Sequence, residues 1–392
     1  MNYILFDGPV RNALLPFTYT RPVADIRIGI LTIREKWEKY LGYTTTTITE
    51  DYLAAKFPMV ELEENILINA SFLPNKSLAA IVKNLKQGEA VFYEEEVVAF
   101  FINEAQETVD FEKYKVIEYI EEPLLQIKHS WDIFSKNGAA LQADFELLTS
   151  GRKSQPVPEN NQVIAPEHIF LEEGAKVACT VLNATNGPIY IGRDAEVMEG
   201  TSIRGGFALC EGATVKMGAK IYGATTVGPY SKVGGEVNNA VFFGYANKGH
   251  DGFMGNAVIG EWCNLGADTN TSNLKNDYSE VRLWNYETEN FAKTGLQFCG
   301  LMMGDHSKCG INTMFNTGTV VGVNANIFGS GFPRNFVPSF SWGGAAGYAT
   351  YRTQKAFEVA EKVMERRNTT LTEEDKAILE HVFELTKKWR RN

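Results

Sequence analysis

His250 sits between a glycine and an aspartate in the run NKGHDGFMGNAVIG (residues 247–260). Imidazole is the side chain whose ordinary pKa lies nearest neutrality, so it is the natural acceptor of a proton under physiological conditions. Taken singly, a histidine in a glycine-rich turn is more often a solvated or backbone-bonded residue than a catalytic one. The polar residues around it, Glu236 upstream and Asn264 and Asn273 downstream, make a cluster that a plain repeat wall does not need. A second set of chemical candidates follows the first apolar run of the chain. Arg11, Arg21, Arg27 and Lys36 are spread through FDGPVRNALLPFTYTRPVADIRIGILTIREKW (6–37), and a basic loop after a strand suits a polyphosphate at the carboxyl end of a sheet.

The elements that must carry the first cluster are written as a period of six. Ile191, Val197, Ile203, Leu209, Val215, Ile221, Val227 and Val233 recur at that interval, with a small residue two positions before most of them. An aliphatic residue pointing inward from each short strand, with a small residue at the corner, is the hexapeptide pattern of a parallel β-helix. The register slips near GGEVNNA (234–240) and is read as resuming at Val241, Asn247, Phe253, Ile259 and Leu265. After a long excursion (272–301) it returns at Met303, Cys309, Phe315, Val321 and Ile327, giving roughly seven coils by this count. Insertions in a solenoid leave the stack as loops and commonly build its binding face.

Before the repeats, YILF (3–6), TTTTIT (44–49), NILIN (65–69) and AVFYEEEVVAFFI (90–102) read as strands. Ile26, Ile30, Ile33, Trp37 and Leu41 are spaced as one helix face. Strand and helix alternate, as in an α/β domain. SGRKSQPVPENN (150–161) reads as a linker. After the repeats, 350–368 and 372–392 have helical spacing, with Thr372 and Asp375 as a capping box, and the simplest role for them is to cap the open end of the β-helix. The expected organisation is an α/β domain over 1–155, a β-helix over 156–340 and helices over 341–392.

The chain has 392 residues, a net charge of -10 and 22% charged residues, which speaks against a general grip on nucleic acid. Five cysteines without a CxxC pair favour reduced thiols over disulfides or a zinc site. There is no apolar run long enough to span a membrane, and the first residues do not read as a signal peptide; a cytoplasmic location is expected.

Hexapeptide solenoids as a class suggest acyl transfer from coenzyme A, whose phosphates would call for basic residues near the last coils. Lys308, Arg334 and Arg352 are candidates, with His306 at a nearby corner. The detail of 247–273 is more specific. Gly249-His250, Gly255-Asn256 with Ile259-Gly260, Asn264-Leu265-Gly266-Ala267 and the run Thr269–Asn273 resemble the acetyltransferase half of the bifunctional N-acetylglucosamine-1-phosphate uridylyltransferase/glucosamine-1-phosphate N-acetyltransferases.

That resemblance implies a left-handed β-helix, a homotrimer, acetyl-CoA as co-substrate bound between chains, and His250 as general base. It implies Glu236 as an orienting acid, Asn273 as a donor to the developing oxyanion, and Asn264 and Asn238 as sugar contacts. Asn238 stands where those enzymes usually have lysine, and Phe253 where they have tyrosine. The N-terminal segment resembles the short, divergent nucleotidyltransferase domain of an alternative form of the same enzymes. Arg11, Arg21, Arg27 and Lys36 would then bind the nucleoside triphosphate, with Mg²⁺ if the domain is active and its ligands unassigned. The family's glycine-rich loop is absent, and Asn69 replaces its metal-binding aspartate. The implied product is UDP-N-acetylglucosamine or a related sugar nucleotide serving the cell envelope. The alternative is a sugar-1-phosphate nucleotidyltransferase whose β-helix only assembles or regulates.

Overall fold

The computed structural model describes residues 2–103 and 109–390. Its first part is a six-stranded sheet with helices. In chain order these are β1 (Asn2–Phe6), α1 (Ile33–Leu41), β2 (Thr46–Ile48), α2 (Asp51–Ala54), β3 (Asn65–Asn69), α3 (Lys76–Lys83), β4 (Glu89–Tyr93), β5 (Glu96–Ile102), β6 (Lys115–Glu118), α4 (Asp132–Ser135) and α5 (Asn137–Thr149). The strand order is β2-β1-β3-β5-β4-β6. β1 runs parallel to β2 and β3, and β5 runs antiparallel to both β3 and β4.

Two local expectations change here. The stretch 90–102 is not one strand but a hairpin, because Glu94 and Glu95 both take positive φ (47° and 67°), the geometry of a type I′ turn, without the Asn-Gly signal that usually announces it. The spacing of Ile26 and Ile30 does not continue α1 backwards. The helix begins only after the capping box of Thr32 and Glu35, and Gly29, at φ 72°, has already turned the chain. Both isoleucines are buried all the same.

The second part is a parallel β-solenoid of about ten turns with three faces. Three steps of six return the chain to the same face one coil later, so Ile203 stacks beside Ile221, Leu209 beside Val227 and Val215 beside Val233. All eight residues of the sixfold series from Ile191 to Val233 lie in its core. More coils exist than the roughly seven read from the repeat, because strands at Gln162–Ile164 and Phe336–Val337 stack at the two ends without keeping the spacing.

The register expected between 241 and 253 is corrected. Val237, Phe242 and Met254 point into the solenoid, whereas Val241 turns outward into the core shared with the N-terminal domain. Asn247 and Phe253 are only half-buried, and Lys248 is buried in place of the expected residue 247. The cause is a change of corner. Asn239 and Asn256, with φ of 50° and 49°, each turn the chain within one continuous strand (Glu236–Phe242 and Phe253–Ile259), so these coils are shorter than their neighbours. Ile259 and Leu265 fall inside as expected, as do Met303, Cys309, Phe315, Val321 and Ile327.

The excursion leaves and rejoins without breaking the stack: Met254 is paired with Thr271 before it, and Val258 with Met302 after it. The excursion itself forms an antiparallel hairpin, Arg282–Asn285 with Asn290–Lys293.

The C-terminal helices α6 (Thr353–Glu365) and α7 (Glu373–Leu385) do not cover the end of the solenoid, as the sequence led us to expect. They fold back along its flank. α7 reaches the N-terminal domain, where Lys56 pairs with Asp375 at 2.6 Å and the rings of Tyr52 and His381 stack at 4.2 Å. The last coil is closed instead by an antiparallel turn-back, Ser341–Gly344 with Gly347–Thr350. None of the helices among the described residues is long and apolar enough to cross a membrane.

Candidate active site

His250 occupies the corner that joins the strand Asn247–Lys248 to the strand starting at Phe253, on two different faces of the solenoid. The corner is tight: Gly252 has φ 116°, and a Cβ there would meet the Thr269 carbonyl oxygen at 2.2 Å. The imidazole is exposed, and among the described residues no side chain or backbone group hydrogen-bonds to it. The corner is held from inside instead. The ammonium of Lys248, 1% exposed in rows where its neighbours are aliphatic, donates to the carbonyls of His250 (2.7 Å) and Gly234 (3.0 Å). Burial pushes its pKa down to about 8, with Asp251 and Asp268 acting the other way.

The ring opens onto a cleft of about 850 Å³ between the solenoid and α6. Asn264 lines the same cleft. So do five cations, Lys216 and Lys232 from adjacent coils, Lys308 three coils further along the same face, and Arg366 and Arg367 from the end of α6, and no carboxylate lines it. Arg367 donates to the Asn247 side chain at 3.1 Å, and Lys308 to the His306 carbonyl at 2.8 Å. Burial pushes Lys308 down to about 8. Lys232 is lowered by burial first and then by Arg367, Lys216 and Arg366 beside it, as expected where positive charge accumulates without a counter-ion. A carboxylate-free cluster of cations is an anion site, and several spaced cations suit a molecule with several phosphates.

The other residues of the expected cluster lie elsewhere. Glu236 does not pair with His250; its carboxylate accepts from the Tyr222 hydroxyl at 2.6 Å, which pushes the tyrosine up to about 12. Asn238 lies over the turn at Gly223. Asn273 sits at a different corner, where its amide donates to Asn256 Oδ1 at 2.8 Å. Asn256 in turn donates to Asn239 at 3.0 Å, and Asn239 reaches the Phe134 carbonyl at 3.0 Å, so three asparagines form a ladder up three coils. Of the four residues expected to bind the acyl donor, only Lys308 lines the cleft; Arg352 is an exposed residue at the N-cap of α6. His306 is buried in a separate cavity of about 270 Å³ where the N-terminal domain, the solenoid and α7 meet. Arg334 lines a third cavity with Phe336, Tyr348 and Arg390.

Sequence reasoning missed Lys216, Lys232, Arg366, Arg367 and Lys248. The first two carried a signal: each flanks an inward valine, Val215 or Val233, so it must point outward on the same face as Asn264.

In the N-terminal domain, the four cations expected to bind a triphosphate are already engaged. Arg11 pairs with Asp7 at 2.8 Å and donates to the Tyr52 hydroxyl at 3.0 Å. Arg21 crosses to the solenoid, to Asp305 and to Glu261 at 3.3 Å. Arg27 donates to the Phe243 carbonyl at 3.0 Å, and Lys36 pairs with Asp144 inside the domain. Arg11 borders a shallow hollow of about 340 Å³ at the ends of β1 and β2, lined also by Asp7, Thr49, Glu50 and Asp51; Arg21 lines the cavity that holds His306, and Lys36 lines a smaller one of about 150 Å³ beside Glu122 and Asp144.

The residues around the Arg11 hollow do not form a ready-made Mg²⁺ cage among the described residues. Asp7 already accepts from Arg11, from Thr49 at 2.5 Å and from the Val23 amide at 2.6 Å. Asn69 is tied to Ser71 and to the Val97 carbonyl. No cluster of three or more metal-ligating side chains exists among the described residues.

Comparison with known proteins adds to this geometry. A bifunctional sugar-1-phosphate nucleotidylyltransferase/acetyltransferase of Sulfurisphaera tokodaii is 27% identical over 218 residues, 55% of this chain and 47% of that protein. The bifunctional protein GlmU of Methanocaldococcus jannaschii is 36% identical over 75 residues, 19% of this chain and 18% of that protein. The chain thus spans about half the length of the first relative and under a fifth of the second. Residues 3–153 match the family described as sugar nucleotidyl transferase, and the parallel solenoid follows that domain in the same chain.

Proposed function

We propose that the chain is a two-part sugar-phosphate transferase whose solenoid N-acylates an aminosugar 1-phosphate, with glucosamine-1-phosphate as acceptor and acetyl-CoA as donor. The observation that carries this reading is the cleft itself: an exposed imidazole, an exposed asparagine amide and five cations share it without a carboxylate.

The chemistry balances on these groups. The acceptor's neutral amine attacks the thioester carbonyl, His250 takes the proton lost as the C–N bond forms, and the C–S bond breaks to release the thiol, which takes up a proton. Asn264 would hold the sugar, and the cations would hold the phosphates of the donor. Glu236 and Asn273 are outside this scheme because their side chains are engaged with Tyr222 and Asn256.

For the N-terminal domain we propose nucleotidyl transfer to the sugar phosphate, leading to UDP-N-acetylglucosamine or a related sugar nucleotide. This reading is supported by the family match and by the names of the relatives. No step is assigned to Arg21, Arg27 or Lys36, which serve internal contacts. We also propose a homotrimer. Met217 and Ile311 are exposed at the same corner of the solenoid as His250, which supports a neighbour packing beside the cleft.

The test is thiol release from acetyl-CoA with glucosamine-1-phosphate, comparing wild type with His250→Ala. A fall of at least about a hundredfold, the usual size of general-base catalysis, is expected. Absence of release with any aminosugar phosphate would sink the acyltransfer reading and leave the solenoid as a scaffold for the first domain.

A further inference from the structure

The reading of His250 as base leaves a question that its side chain does not answer. The ring has no hydrogen-bond partner among the described residues, and glycines stand at 249 and 252 of its corner. Glycine gives backbone freedom, so such a corner needs an external tether if the ring is to be presented in one place.

Lys248 supplies one, through the hydrogen bond from its ammonium to the His250 carbonyl. Its row on the inner wall of the solenoid holds Val215 and Val233 on the preceding coils and Leu265 and Ile327 on later ones. A charged side chain here is out of pattern and costs stability, because an ammonium loses its water shell on entering an apolar stack. What it gains is two carbonyls, those of His250 and Gly234, on neighbouring coils. The charged groups facing it are Asp251 on the same corner, Asp268 on the next coil and the buried thiol of Cys309. None of them comes within ion-pair distance of its nitrogen. The backbone carbonyls are therefore its hydrogen-bond partners.

We propose that Lys248 is a positioning residue for the acyl transfer at His250: a buried charge, retained at a cost to the stability of the solenoid, that pins the His250 corner to the coil before it. The proposal rests on the reading of His250 as the base.

The test is Lys248→Met, which keeps the length of the side chain and suits the apolar stack. Three results are expected together. The melting temperature stays equal to that of wild type or rises. The kcat for acetyl transfer falls about 10- to 100-fold, the scale of misplacing a catalytic group, with KM for acetyl-CoA unchanged. The backbone amides of 249–252 exchange with solvent faster, while those of the neighbouring coils do not. A variant with wild-type kcat and wild-type exchange at the corner overturns the proposal.

The exchange measurement also separates two failures. If wild type itself shows no acetyl transfer, the reading of His250 fails, and a corner that still loosens in Lys248→Met shows that the tether exists without that chemistry. A corner that does not loosen overturns the tether regardless of activity. A melting temperature that drops with kcat and KM moving together would mark Lys248 as an ordinary structural residue and overturn its positioning role.

Discussion

Arg21 and Asp305 are separated by 284 residues in sequence and form a buried ion pair between the N-terminal domain and the solenoid. Thr20 donates to the same carboxylate at 2.6 Å, and the second oxygen of Asp305 accepts from the Glu261 amide at 2.8 Å. The TYTRPVADIR segment is thus a clamp between two parts of the chain. Asp305→Ala would leave the guanidinium buried and short of a partner, a loss of about 3–5 kcal/mol. The double variant Arg21→Met/Asp305→Leu should recover most of it. Urea unfolding of the three proteins checks this, and equal stability of single and double variants would contradict it.

His306 should make the fold acid-sensitive. Burial first, and Lys308 next, hold its ring pKa at about 3, against about 6.5 when the chain is unfolded. Protonation therefore favours the unfolded state. The contribution of the neutral ring is complete above pH of about 6.5 and is lost as the pH falls towards 3, at about 1.4 kcal/mol per pH unit. His306→Phe, which keeps a ring against Trp262, should flatten that part of the curve. The midpoint of urea unfolding from pH 7 to pH 4 measures the difference.

The cleft cations should act on donor binding and leave the chemistry alone. Arg366→Ala and Lys232→Ala should each weaken acetyl-CoA by about tenfold, with kcat nearly unchanged, as for removing one charge-assisted contact from a phosphate. The wild-type affinity should fall with added salt, and less steeply in the variants. A steady-state series at several ionic strengths would show whether the split between KM and kcat holds.

Asn273 is expected to be a structural rung. Asn273→Ala removes the donor to Asn256 and should cost about 1–3 kcal/mol in stability, with acetyl transfer staying within a few-fold of wild type. A hundredfold fall in kcat without loss of stability would instead make it a donor to the reacting carbonyl, and thermal melts run beside the activity assay distinguish the two.

The solenoid was readable because its physics is periodic. A strand that must bury one side chain per face writes that demand every six residues, and the series from Ile191 to Val233 is in the core as read. The reading slipped at 241, 247 and 253 because a one-residue corner at Asn239 shortens the coil, and asparagine at positive φ leaves no periodic trace. Lys248 was hidden for a related reason: lysine is the last residue expected inside a stack. The N-terminal cations were seen, but a basic residue near a strand end looks the same in sequence whether it awaits a phosphate or, as with Arg21, already holds a carboxylate. The placement of α6 beside His250 depends on tertiary packing that helical spacing does not encode.

The turn-back at Gly344–Gly347 also sets a limit on assembly. A parallel solenoid has an end onto which a further coil, from this chain or another, can be added by continuing the same ladder. A final strand that runs the wrong way presents a mismatched template, so growth along the long axis stops there. Anything added at that face of the last coil has to meet an antiparallel edge.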